Sequence, residues 1–187
     1  MIRAAQVKDA EQLSKLMFII WNDMELPFIV NNDEDKVLKV IEQSIVDGDY
    51  RNHYKHIHVY EEEGEVAGFI NCYAGDKEQQ LEKNWLNIDF EESFELEGTP
   101  LPEREADDGD LYIESIAVFS EFRGKGIASQ LMTYIFDLAK ESGYKQVSLN
   151  CEVDNEGAMK LYKKLGFEPL HDRILSGHAY KYLGKQV

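Results

Sequence analysis

Long apolar runs, cysteine and proline are scarce in this sequence of 187 residues. It has two cysteines and four prolines, and no apolar run approaches the roughly 20 residues that a membrane-spanning helix needs. The first residues, MIRAAQVKDAEQ, lack the apolar stretch of a secretory signal peptide. Cys72 and Cys151 both lie in apolar, strand-like segments, which favours buried thiols over a disulfide. Together these absences predict a cytoplasmic protein with no membrane partner.

Basic residues are also in deficit. The chain has 20 Lys and Arg against 36 Asp and Glu, a net charge of −16. Such an excess of negative charge argues against nucleic acid or an anionic membrane as a partner. Residues 76–110 alone hold 13 acidic and three basic side chains. We expect this segment either to be a solvated surface or to face something cationic.

The histidines do not predict a metal site. His53, His56 and His58 give the spacing H-x-x-H-x-H, but on a strand over 55–60 only His56 and His58 share a face. No cysteine lies nearby in the sequence to complete a ligand set. We interpret these histidines as part of a mixed surface strand and expect no bound metal.

The sequence lacks the spacing of a P-loop and the G-x-G-x-x-G order of a dinucleotide fingerprint. What it has instead is a strand-like run, Leu111 to Val118, followed by the glycine-containing turn RGKGIAS over 123–129 and a helical pattern at about 124–142. The first N–H groups of a helix are unpaired, and glycines let a phosphate approach them closely. The pattern therefore predicts a pyrophosphate site.

A second strand and helix follow. KQVSLNC over 145–151 is typical of a buried strand, and NEGAMKLYKKLGF over 155–167 is helical, with a good N-cap in Asn155 and a helix stop in Gly166. Tyr162 falls on the apolar face of this helix, so its hydroxyl should point inward. On the residues alone, Tyr162 fits a core tyrosine as well as a catalytic one.

The two segments resemble conserved motifs of the GNAT superfamily of N-acetyltransferases, whose ligand is acetyl-CoA. Arg123-x-x-Gly126-x-Ala128 matches the pyrophosphate motif, and residues 155–167 match N-x-x-A-x-x-L-Y-x-x-x-G-F. The resemblance is specific over roughly 111–167 and covers the chain in outline. It implies an α/β fold with a mixed sheet in the order β-α-α-β-β-β-α-β-α-β-β, as a single domain over 1–187.

The apolar patterns supply that order. We expect strands at 1–5, 55–60, 66–74, 111–118, 145–151, 167–171 and 178–183. We expect helices at 10–23, 33–47, about 124–142 and 156–165, with a break over 24–32. The acidic insert at about 75–110 is predicted to be irregular, with a short strand where Leu86, Ile88 and Phe90 alternate.

The resemblance also implies a site. The backbone of the central strand would pair with the pantetheine arm and acetyl group, the glycine turn would hold the pyrophosphate, and Asn155 would reach the pantetheine arm. Lys125 would either add charge there or face water. Tyr162 would protonate the leaving thiolate. The predicted cofactor-binding residues are Ile116, Ala117, Val118, Arg123, Gly124, Lys125, Gly126, Ile127, Ala128, Ser129 and Asn155.

The general base is open at this point. Glu114 lies two residues before Ile116 and should therefore point to the same side of the strand. A carboxylate in an apolar strand is costly unless it has a partner or a task, so Glu114 is either the base or a hydrogen-bonded structural residue. Asn150 stands where some family members carry a catalytic glutamate, and an amide cannot replace it. Glu152 ranks below Glu114 because it lies on the other side of its strand.

The resemblance places an amine acceptor beside the connection between the first two helices. Asp23, Glu25 and Phe28 would suit a cation there, although Phe28 and Ile29 could equally pack into the core. The resulting hypothesis is an N-acetyltransferase that moves an acetyl group from acetyl-CoA to a primary amine of a small cationic molecule or a peptide. The alternative is a CoA-binding or regulatory protein of the same fold without turnover. A homodimer is left open.

Overall fold

The computed structural model describes residues 1–187, whose strands form one seven-stranded sheet. The spatial order of the strands is β1-β2-β3-β4-β5-β7-β6, and only β4 and β5 are paired in parallel. The strands are β1 (Ile2–Ala4), β2 (Ile57–Glu62), β3 (Glu65–Ala74), β4 (Leu111–Val118), β5 (Gln146–Glu152), β6 (Glu168–Leu175) and β7 (His178–Gln186). The α-helices are α1 (Ala10–Asp23), α2 (Pro27–Val30), α3 (Glu34–Val46), α4 (Glu78–Lys83), α5 (Ile127–Glu141) and α6 (Glu156–Lys164).

The sheet separates two apolar cores. Successive side chains of a strand point to opposite faces, so Phe69 of β3 packs with the residues of α1 and α3, whereas Ile70 packs with those of α5. The buried face of α1 carries Leu13, Leu16 and Trp21 at helical spacing, as predicted. No helix combines the length and apolar composition that crossing a lipid bilayer requires.

The two central strands separate half-way along their length. β4 pairs with β5 only over Leu111–Ile113, opposite Val147–Leu149. Beyond this point β4 continues to Val118 and β5 to Glu152 with no bond between them. On its other side β4 remains paired with β3 as far as Val118. The gap between the two strands positions the site described below.

A β-bulge at Glu114 overturns one prediction. Ile113 pairs with Cys72 and Ser115 pairs with Asn71, so Glu114 is an extra residue in β4. Because an extra residue shifts the alternation of side chains, Glu114 and Ile116 do not point to the same side. Ile116 packs with the α5 core, whereas Glu114 contacts Arg51 and Asn71 on the other face.

The insert differs from its prediction. It contains α4 and a 3-10 helix over Asn84–Asn87, and the predicted short strand at Leu86, Ile88 and Phe90 is wrong. Leu86 is exposed, whereas Trp85 and Ile88 are buried three residues apart. The helical turn lets Trp85 pack its ring against Phe28 of α2, so the apolar residues here serve helical packing.

Two further boundaries differ from expectation. The chain over Tyr54–His56 is a 3-10 helix, so β2 begins at Ile57 and His56 does not share a strand face with His58. His53 and His56 are bonded instead to the Val46 carbonyl and the Asp49 carboxylate. The predicted break over 24–32 contains the short helix α2. Its first residue is Pro27, and proline is favoured at the first position of a helix.

Candidate active site

A cavity of about 890 Å³ lies where β4 and β5 separate. Its walls include the second half of β4, the end of β5, the first turn of α5, the first turns of α6, the end of α1 and part of the insert. Clefts of this size, at the carboxyl end of a parallel strand pair, are typical ligand sites. Most of the residues predicted from the sequence line it.

The first turn of α5 offers unpaired backbone N–H groups to the cavity. Gly126 is its N-cap in a left-handed conformation (φ 75°), and no side chain caps the helix. Gly124 has the same conformation (φ 80°), which explains why α5 begins at Ile127, later than the predicted 124. With the positive end of the helix dipole, this turn fits a pyrophosphate without side-chain help.

The two charged residues of the turn differ, because only Arg123 lines the cavity. Lys125 does not line it: its ammonium pairs with Glu62 at 3.0 Å and lies over the Phe122 ring. The Arg123 guanidinium donates from Nε to the Val118 carbonyl, 3.1 Å away, and so joins the turn to the end of β4. Arg123 lines the cavity, as do the uncharged predicted residues of the turn, namely Gly124, Gly126, Ile127, Ala128 and Ser129.

The free edge of β4 provides a second set of backbone groups. Ile116, Ala117 and Val118 line the cavity on the side where β5 has turned away. An extended ligand can pair with such an edge through main-chain hydrogen bonds. The edge fits the amide-containing pantetheine arm of acetyl-CoA.

Asn155 and Tyr162 reach the cavity from α6. The Asn155 side-chain oxygen accepts a hydrogen bond from the Ala158 N–H at 3.0 Å, as its predicted capping role requires. The Tyr162 ring packs edge-on against Phe167, and the side chain is 9% exposed. Burial raises the pKa of Tyr162 above its ordinary value. The phenol therefore keeps its proton at neutral pH and can act as a proton donor.

Glu114 lines the cavity from the bulge of β4. Its carboxylate accepts a hydrogen bond from Asn71 Nδ2 at 2.8 Å and lies 3.5 Å from Arg51 Nε, and its side chain is 6% exposed. Burial is the largest cause of a pKa of about 8 for Glu114; the neighbouring glutamates add to its effect, and Arg51 opposes it. A carboxyl group with this pKa can exchange a proton near neutral pH.

Glu114 belongs to a buried charge cluster that the sequence did not reveal. Arg51 is fully buried and is surrounded by four carboxylates. Their oxygens lie 3.3 Å (Glu78), 3.3 Å (Glu82), 3.1 Å (Glu105) and 3.5 Å (Glu114) from its guanidinium nitrogens. Arg51 lies in the polar stretch DGDYRNHYK, where no local pattern marks a core residue. Part of the acidic insert is therefore buried rather than solvated.

The far end of the cavity is acidic but differs from the predicted acceptor pocket. Asp23 lines it, together with Glu105, Glu114 and Glu152. Glu25 does not line it, because its side chain is 77% exposed and lies 4.0 Å from His178.

The prediction that Phe28 lines the acceptor pocket is wrong. Phe28 is fully buried and contacts the rings of Trp21, Trp85 and Phe94. Ile29 is buried as well. Both residues therefore belong to the core, as the competing expectation had it. The aromatic residues of the insert complete that packing, which the sequence of the connection alone does not show.

Comparison with known proteins identifies the family of this fold and site. The model of the acetyltransferase (GNAT) family matches residues 16–167. The chain belongs to this family. The predicted α/β fold with a mixed sheet is thereby confirmed, as is the class of protein, a GNAT N-acetyltransferase.

Individual relatives support the same class. The crystal structure of an N-acetyltransferase from Staphylococcus aureus Mu50 is 41% identical, with a TM-score of 0.90 over 99% of this chain and 100% of that one. N-alpha-acetyltransferase 30 of Schizosaccharomyces pombe is 40% identical over 76 residues, 38% of this chain and 51% of that protein. Thialysine N-epsilon-acetyltransferase of Bos taurus is 33% identical over 77 residues, 41% of this chain and 45% of that protein. The matches thus span about half of these two curated relatives.

Proposed function

We propose that this chain transfers the acetyl group of acetyl-CoA directly to a primary amine on a small cationic molecule or a peptide. The observation that carries the proposal is the continuity of one cavity. It joins the uncapped start of α5 and the free edge of β4 to an end lined by carboxylates. A phosphate-bearing ligand fits the first part, and an ammonium group fits the second.

The charges of the cavity support a cationic acceptor. Four carboxylates line it, from Asp23, Glu105, Glu114 and Glu152, whereas Arg123 is the one Lys or Arg residue among the lining residues and lies at the α5 end. Such an arrangement attracts a cation to the acidic end and the phosphates to the other. The names of the relatives include acetylation at both alpha and epsilon amines, so they leave the kind of amine open.

The residues can perform the proton transfers that the reaction needs. Bound acetyl-CoA supplies an acetyl group activated as a thioester. Free N–H groups on the β4 edge can polarise its carbonyl. Glu114 takes a proton from the acceptor ammonium, so that the nitrogen lone pair can form the new C–N bond. As the C–S bond breaks, Tyr162 gives its proton to the departing sulfur, and the second proton lost by the nitrogen restores Tyr162 through solvent. Glu114 releases the first proton to solvent, which restores the carboxylate.

A turnover assay tests the proposal. We would measure release of the CoA thiol with polyamines, aminoglycosides and peptides as acceptors. The controls are analogues of the same size in which an uncharged group replaces the amine. The proposal predicts acetyl-CoA-dependent thiol release with at least one cationic amine. Saturable acetyl-CoA binding with no turnover on any amine would instead favour a CoA-binding or regulatory protein.

A further inference from the structure

Two carboxylates from separate parts of the chain meet at the acidic end of the cavity. Glu105 comes from the insert and Glu114 from the bulge of β4, and both line the cavity. Both also contact Arg51: an oxygen of Glu105 lies 3.1 Å from Nη2 and one of Glu114 lies 3.5 Å from Nε. One guanidinium thus brings the two side chains together.

Hydrogen bonds hold both the side chain and the backbone of Glu105. The Tyr112 hydroxyl donates to its carboxylate at 2.9 Å, and Asn150 Nδ2 donates to its backbone carbonyl at 2.9 Å. The Glu105 N–H donates in turn to Glu78 at 3.0 Å. Asn150 also donates to the Tyr112 hydroxyl at 3.0 Å, which closes the network. The side chain has a fixed place in the cavity wall although it belongs to an irregular segment.

The cluster around this pair has more negative than positive charge. Arg51 is the one cation in contact with Glu78 and Glu82 of α4, with Glu105 and with Glu114. Arg51 also donates to the Tyr73 hydroxyl and the Leu101 carbonyl. The hydroxyls of Tyr50 and Tyr112 donate to Glu82 and Glu105. All three tyrosines are neutral at physiological pH because burial raises the pKa of each. Buried carboxylates without a cation are costly.

The four carboxylates are not equivalent. Glu78 accepts hydrogen bonds from the N–H groups of Glu105 and Ala106, and Glu82 accepts them from Leu101 N–H and the Tyr50 hydroxyl. Neither lines the cavity, whereas Glu105 and Glu114 do. The excess charge of the cluster is therefore presented to the cavity by the pair.

Two amide oxygens point to the same kind of ligand. Asn71 donates to Glu114 and Asn150 donates to the Glu105 carbonyl, and the Oδ1 atom of each asparagine is buried without a hydrogen-bond donor. The surroundings of the pair are therefore rich in acceptors and short of donors. An ammonium group brings three N–H donors and a positive charge.

We propose that Glu105 and Glu114 form one carboxylate pair that binds the ammonium group of the acceptor. Glu114 takes one proton from the ammonium, and the neutral nitrogen then forms the C–N bond. Glu105 holds the ammonium before that transfer. It also acts on Glu114, because its charge is one of the causes that raise the pKa of that residue, after burial. This inference rests on the proposed function.

Glu105→Gln tests the pair through two readouts, because it keeps the shape of the side chain and removes its charge. The KM for a cationic amine should rise at least about tenfold, since removing one partner of a desolvated charge contact is costly. The acid limb of the pH profile of kcat/KM should move to lower pH, because Glu114 loses a repelling neighbour. The KM for acetyl-CoA should stay unchanged. A merely structural role would leave the midpoint of the acid limb in place.

Glu97→Gln is the matched control, since Glu97 is an exposed carboxylate of the same insert with no ion pair. Thermal unfolding of each variant would show that the fold is kept. If Glu105→Gln leaves both the acceptor KM and the acid limb unchanged in a folded enzyme that turns over, the pair is refuted and the proposed function stands.

A measurement without turnover separates the two ideas. In protein with ¹³C-labelled glutamate side chains, the Glu114 carboxyl signal can be assigned by its loss in Glu114→Gln and followed through a pH titration. Its midpoint should fall in Glu105→Gln and stay in place in Glu97→Gln. If the midpoint falls in Glu105→Gln and wild-type protein shows no turnover, the coupling of the two carboxylates stands and the proposed function fails. An unshifted midpoint contradicts the pair whatever the activity.

Discussion

Glu114→Gln should make the protein more stable at alkaline pH while it removes activity. The folded state raises the pKa of Glu114 to about 8 from its ordinary value of 4.5, chiefly by burial. Between these values the folded state binds a proton that the unfolded state has lost. The stabilisation that Glu114 contributes to the folded state is therefore fully present below about pH 4.5 and is lost as pH rises toward 8.

The size of this effect follows from the same shift. Between pH 4.5 and 8, each pH unit lowers the free energy of unfolding by up to about 1.4 kcal/mol, so the whole decrease has an upper limit of about 5 kcal/mol. The variant keeps an amide in place of the carboxyl group and avoids this loss, and its side-chain oxygen can still accept from Asn71. We expect its advantage over wild type to grow from pH 5 to pH 8.5 and then to level off.

Urea unfolding of both proteins at pH 5, 6, 7, 8 and 9 measures the difference, with Glu97→Gln as the control for loss of an exposed carboxylate. Turnover of the variant should fall by roughly 100- to 10,000-fold, the usual contribution of a general base. If the difference in unfolding free energy between Glu114→Gln and wild type is the same at every pH, Glu114 does not have a raised pKa and the argument for it as the base is lost.

Three further changes probe the rest of the cavity. Gly126→Asp should abolish acetyl-CoA binding measured by titration calorimetry, because it places a carboxylate at the uncapped turn of α5. Gly126→Ala has the same backbone strain without the charge and should bind acetyl-CoA more tightly than Gly126→Asp. Equal affinities of the two variants would contradict this pyrophosphate site. Tyr162→Phe should lower kcat roughly 10- to 1000-fold with little change in acetyl-CoA affinity, and full turnover would remove Tyr162 from the reaction. Asp23→Asn should raise the KM for a cationic amine and weaken the dependence of that KM on ionic strength. Glu25→Gln should change neither quantity, since Glu25 lies outside the cavity. Identical behaviour of the two variants would refute an acceptor site beside Asp23.

The features that are local in the sequence could be predicted. The strand, turn and helix over residues 111–141 follow from alternating apolar residues, two glycines and a helical repeat within one short segment. The cap at Asn155 and the inward face of Tyr162 depend on neighbours three or four residues away. Such patterns are set by the local backbone, and they also carried the resemblance to the family.

The features that depend on distant contacts could not be predicted. The bulge at Glu114 is defined by the register of β4 with Asn71 and Cys72, which lie 43 and 42 positions before Glu114, so strict alternation along β4 gave the wrong side for its carboxylate. The burial of Arg51 requires carboxylates from three other segments. Phe28 is in the core because rings from the insert cover it. No window of the sequence contains these partners together.

A crystal structure with acetyl-CoA and a cationic amine most directly tests the claim that one cavity joins the cofactor to the acidic acceptor end. Our account predicts the pyrophosphate within hydrogen-bond distance of the N–H groups of Ile127 to Ser129, and the pantetheine arm along the free edge of β4. It predicts the amine nitrogen between the thioester carbonyl and the carboxylate of Glu114. An acetyl group bound away from the gap between β4 and β5, or an amine bound away from Glu114, would contradict it.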